Sequence, residues 1–131
     1  MDLNLVWAAL AGAILAGLAD WLFAGTLFRS RYQQHPDTWR SGAQDPRRSA
    51  AAMALSLLTA GAFVALASKL GQSDPRGALK LAAMIWLIGP LPLILANAIF
   101  IRIDHLVTAS HAAGWLAKLL LIGAATAYFL P

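Results

Sequence analysis

The stretch LNLVWAALAGAILAGLADWLFAGTLF, residues 3–28, carries a single ionisable side chain, Asp20, along its whole length. About 20 apolar residues at about 1.5 Å rise each cross the hydrocarbon of a bilayer, so this stretch reads as a membrane span. A cleavable leader needs a basic start and an apolar region of about 7–15 residues. Here the chain starts Met1-Asp2-Leu3-Asn4, and its first cation is Arg29. Residues 50–70, 78–101 and 107–130 repeat the same character. In hydrocarbon every backbone amide must be paired inside the protein, and single segments of this length manage that only as helices. The expected fold is all-α: one integral membrane domain over residues 1–131, a bundle of four transmembrane helices joined first by a loop at 29–49.

Composition points the same way. Of 131 residues, 60% are apolar and 12% charged, against about 45–50% and 25% in soluble domains. The mean hydropathy is +0.65. A soluble chain this small has too much surface for its volume to hide so much apolar area. Cysteine is absent, which removes disulfides, thiolate metal sites and thiol catalysis.

The joints are legible. Asp45-Pro46-Arg47 and Asp74-Pro75-Arg76 are the same local statement: an Asp accepting from first-turn amides, then Pro where a missing N–H costs nothing. Gly71 suits the end of the second helix. Arg29, Arg31, Arg40, Arg47, Arg48 and Arg102 fall on one side of the four spans, and Lys69, Arg76 and Lys80 on the other. The positive-inside rule then puts loops 29–49 and 102–106 in the cytoplasm and both termini outside, in a bacterial cytoplasmic (inner) membrane. The net charge of +4 reflects this asymmetry and contact with anionic headgroups, and nucleic acid is excluded as a partner. The loop 29–49 reads as a short interfacial anchor, its aromatics in the headgroup zone, with a lid as the functional alternative.

Intramembrane charges are costly and call for a functional hypothesis. Asp20 lies about 12 Å from the cytoplasmic end of its helix and Lys118 about 16 Å from the same side, at helical rise. Their matching depths predict an ion pair across the bundle. Asp104, Thr108, His111, Trp115 and Lys118 recur at spacings of three and four, making one face of the last helix polar to near the midplane. Ala8, Gly12 and Ala16 mark a side of the first helix that packs closely, and Ser56, Ala60, Gly61 and Ala65 do so for the second. These faces suggest a homo-oligomer. Gly89-Pro90-Leu91-Pro92 should kink the third span, freeing the carbonyls of Trp86 and Ile88. Asn97 adds a polar group in the cytoplasmic half. His105 and His111 match no metal-ligand spacing, so neither metal nor cofactor is expected.

Gly17-Leu18-Ala19-Asp20-Trp21-Leu22-Phe23-Ala24-Gly25, then Leu27-Phe28, Trp39 and the run Gly114 to Ala125 together resemble the domain of unknown function 1761 family. Members often carry Trp-Tyr-Ser-Pro where this chain has Asp20-Trp21-Leu22-Phe23, and an aromatic-His pair where it has Gly114-Trp115. The resemblance implies a four-helix membrane protein and assigns no functional residue. The layout is also similar to that of small multidrug transporters, whose loops are shorter and whose acidic residue stands earlier in the first helix.

The resulting expectation is a protein that sits in the lipid bilayer and binds a lipophilic small molecule in a cytoplasm-facing cavity between the first, third and fourth spans. Asp20, Lys118 and His111 would be the chemically active groups. Asn97, Asp104, Trp115, Trp21 and Trp86 would contact the ligand. Whether chemistry follows binding is open. The alternatives are a proton-coupled exporter working as a homodimer, with Asp20 as carrier, and a non-catalytic accessory subunit.

Overall fold

Four of the six acidic residues, all of them Asp, do one job. In the computed structural model, which describes residues 2–38 and 45–130, Asp2, Asp45, Asp74 and Asp104 each accept hydrogen bonds from first-turn amides at 2.9–3.1 Å. They open α1 (Leu3–Leu22), α3 (Pro46–Lys69), α4 (Pro75–Ile88) and α6 (His105–Phe129). Pro46 and Pro75 follow as first helical residues, as the repeated Asp-Pro-Arg predicts. Between them lie α2 (Arg29–Gln34) and, after the third-span break, α5 (Pro90–Phe100).

The second span stops at Gly71, whose φ of +62° is left-handed. Its N–H reaches the Ser68 carbonyl, and that of Gln72 reaches Ala67 at 2.9 Å, satisfying carbonyls at the helix end. Four helical segments, Leu3–Leu27, Pro46–Lys69, Pro75–Phe100 and His105–Phe129, are long and apolar enough to cross a membrane.

Their surfaces are inverted relative to a soluble bundle. Leu3, Trp7, Leu10, Ile14, Leu18 and Trp21 form an exposed apolar stripe along α1, and Phe100 is 87% exposed. Patches so extensive do not face water in a stable monomer. The chain is built as an integral membrane protein.

The last span holds the bundle together. α6 packs against α1, α3, α4 and α5, whereas α3 leans chiefly on α1. Small residues make the contacts close. A Cβ at Gly12 would meet Ile122 at 3.3 Å and Ala60 at 3.4 Å, and one at Gly123 would meet the Ala78 carbonyl oxygen at 3.1 Å. Ala13, Ala16, Ala60, Phe63, Ala67, Ala82, Leu119 and Ile122 form the buried core. The small face expected on the second helix is therefore divided. Ser56 and Ala60 are buried within the chain, while Ala65 is outward and Gly61 has open space where a Cβ would stand.

The third span breaks at Gly89 (φ −119°, ψ −87°). Gly89 N–H closes α4 on the Ile85 carbonyl, and Leu93 N–H opens α5 on the Gly89 carbonyl. Both prolines thus sit in the first turn of α5, where no amide donor is required. Across the break, Trp86 Nε1 donates to the Ala112 carbonyl at 2.8 Å, tying the kinked span to α6.

Candidate functional site

Asp20 lies in the last turn of α1, two residues before its end at Leu22. The helix then widens into a π-turn at Phe23–Leu27, and the Phe23 amide closes on the Ala19 and Asp20 carbonyls. Such bulges re-aim side chains and recur at functional sites. Here the bulge lays Phe23 over Gly114 of α6, where even a Cβ would touch the ring at 3.5 Å.

Lys118 Nζ lies 2.7 Å from Asp20 Oδ2 and 4.5 Å from the centre of the Trp115 ring. The two partners are unequal. The Lys118 side chain is 9% exposed, while that of Asp20 is 49% exposed. The ammonium is thus enclosed behind the carboxylate, with the indole face supplying a second favourable contact. Among the described residues no other hydrogen bond reaches Asp20, so one carboxylate oxygen remains available as an acceptor.

That carboxylate opens on a groove of about 390 Å³. Phe23, Tyr32 and Trp115 give it aromatic walls, Ser110 and His111 add polar groups, and Ala24, Ala52 and Gly114 leave space. Tyr32 comes from α2, which packs back onto the start of α6. Its hydroxyl donates to Ser110 Oγ at 3.3 Å, and its ring meets His111 edge-on at 5.7 Å. Burial pushes the Tyr32 phenol above its usual pKa, the Ser110 bond partly offsets this, and the Asp20 charge adds to the rise. Tyr32, expected to face the headgroups, is turned in against α6. It is 7% exposed, because its hydroxyl finds a partner on α6.

The residues singled out in the sequence divide into two groups. Asp20, Lys118, Trp115 and His111 come together at the groove. Asn97 borders a smaller hollow of about 170 Å³ between α5 and α6, with Ile94, Ile103, Thr108 and again His111. The Asp20 groove is thus bounded by the first, second and fourth spans, whereas the third, expected beside it, contributes no lining residue there and borders the hollow instead. Asp104 caps α6 and sits 3.9 Å from Arg31 and 3.5 Å from His35 Nε2, which fastens α2 to α6. Partial desolvation opposes its charge. The Val107 and Leu106 amides, with the Arg31 guanidinium and the His35 ring beside it, outweigh that, holding the carboxyl below its usual pKa. Trp21 is 63% exposed on the lipid-facing stripe, and Trp86 is engaged with Ala112. Trp39 and Arg40 of the first loop lie outside the described residues.

Sequence reasoning missed Phe23, Tyr32 and Ser110. Ser110 stands four residues before Gly114, a small pair one turn apart, and that was the available signal for a second close-packed face on α6. The π-turn that carries Phe23 has no comparable signature.

A second groove of about 370 Å³, between α1 and α3, is walled by Leu5, Val6, Leu10, Leu57 and neighbouring small residues. It offers no hydrogen-bonding side chain, which suits an acyl chain.

Residues 7–127 match the model of the family described as "Protein of unknown function (DUF1761)". The chain belongs to that family. No curated protein and no solved structure matches it. Membership brings no ligand or activity with it.

Proposed function

We propose that this protein binds a lipophilic molecule in the groove at Asp20, with the carboxylate accepting a hydrogen bond from the ligand's polar end. One observation carries the reading: a half-exposed carboxylate, backed by an enclosed lysine, opens on an aromatic-walled groove. A pair needed only to fix helix register gains nothing from leaving one member open. The groove's volume is at the lower end of the range for small-molecule sites, about 300–1,000 Å³.

The test uses purified protein in mild detergent and a neutral monoacylglycerol as probe. Saturable binding is expected, weakened about tenfold by Asp20→Asn, as for loss of a hydrogen bond to a charged group. Gly114→Leu should abolish it by displacing Phe23 into the groove. Equal binding by wild type and both variants sinks the proposal.

The same reading places the protein in the bacterial inner membrane with loops 29–49 and 102–106 cytoplasmic, supported by the arginine excess on that side. It also includes a homo-oligomer, supported by the exposed Ala65 and the open space beside Gly61 on α3.

A further inference from the structure

We infer that the occupant of this groove is a single-chain phospholipid whose phosphate meets Arg29 and Arg48 and whose free glycerol hydroxyl donates to Asp20. The inference rests on the binding proposed above and specifies its ligand class. Arg48 lies four residues before the groove-lining Ala52 on α3, so it shares that face about 6 Å nearer the loop end. Arg29 stands three residues before the groove-lining Tyr32 on α2. Both arginines are exposed, and among the described residues neither has an ion-pair partner. Arg31, by contrast, is turned to Asp104.

The groove therefore has an order along its length. Helical spacing puts Arg29 and Arg48 toward its loop end, beyond the Tyr32 and Ala52 that line it, with the Asp20 carboxylate and the aromatic walls further in. Charge decides among amphiphiles. Asp20 is already neutralised by Lys118 at 2.7 Å, so the mouth adds an uncompensated positive field that repels a lipophilic amine and attracts an anion. Guanidinium is the side chain best matched to phosphate geometry. A carboxylate acceptor asks for a donor, which the free hydroxyl of a monoacyl glycerophosphate supplies a few bonds from its phosphate. The volume of about 390 Å³ suits the upper part of one acyl chain better than two. Ala24 and Ala52 place nothing beyond Cβ in the gap through which that chain leaves toward the surrounding lipid.

Binding to the full-length protein in detergent is measured with four probes: 1-oleoylglycerol 3-phosphate, 1-oleoylglycerol, oleylamine and inorganic phosphate. The phosphate amphiphile should bind about tenfold or more tighter than its neutral counterpart, and inorganic phosphate should not displace it. Arg29→Gln with Arg48→Gln should erase that advantage while leaving 1-oleoylglycerol binding intact, which also shows that the variant is folded. Equal affinity of the two glycerol probes, tighter oleylamine binding, displacement by inorganic phosphate, or indifference to the arginine variant overturns the inference but spares the binding site. If no oleoyl probe binds, both proposals fall.

Discussion

Lys118 is held by a carboxylate at 2.7 Å and an indole face, and it is nearly enclosed. Removing one member of a buried pair costs about 3–5 kcal/mol. Asp20 is half-exposed, which lowers the expected cost of Lys118→Ala to about 2 kcal/mol. Thermal unfolding in detergent reads this directly. Asp20→Asn combined with Lys118→Ala should be less damaging than the sum of the singles, since the two interact. Strict additivity would show that the pair is uncoupled.

At the loop end the signs are opposite for two groups. Asp104 has a folded pKa below its unfolded value of about 3.9. Its contribution is therefore complete above about pH 4 and drains away as pH falls through the lower folded value. Tyr32 has a raised folded pKa, so its contribution is complete below about pH 10 and is lost as pH climbs through that raised value. Unfolding followed from pH 5 to pH 3 should lose its acid limb in Asp104→Asn. The depths that predicted the Asp20–Lys118 contact were legible because helical rise turns sequence position into height. The inequality of the two partners was not, because it depends on where neighbouring spans stand.

Elements differ in how tightly they touch. A Cβ at Gly123 meets the backbone of α4 at 3.1 Å, and backbone cannot swing aside. Gly123→Ala should push α4 from α6 at a cost of about 1–3 kcal/mol, as overpacking does. Gly61→Ala meets nothing and should stabilise the monomer by about 0.5–1 kcal/mol through helix propensity. Melting temperatures of the two variants should move in opposite directions. Caps and breaks were readable because they are local: Asp-Pro-Arg opens a helix and Gly-Pro-Leu-Pro interrupts one wherever they occur. The docking of α2 was not readable. Arg31, Tyr32 and His35 look like any interfacial segment until Asp104 and Ser110 are brought beneath them by the fold.

For the whole molecule, the absence of native cysteine makes orientation measurable with single introduced thiols. Ser30→Cys should react with an impermeant reagent only in inverted vesicles, and Ser73→Cys only in right-side-out ones. The reverse pattern would overturn the proposed topology. Four spans were evident from length and hydropathy alone, whereas which spans surround Asp20 was not. The sequence suggested the third span as a wall, yet α3 supplies Ala52 there and the third span lines a separate hollow.

The ion pair joins the first membrane segment to the last, and this has a consequence for biosynthesis. At about 5–20 residues per second, the ribosome exposes Asp20 roughly 5–20 s before Lys118 exists. Throughout that interval the newborn segment carries a carboxylate with no counter-ion. It must either borrow a proton or linger beside the insertion machinery. The final helix is thus what first supplies that carboxylate with its counter-ion.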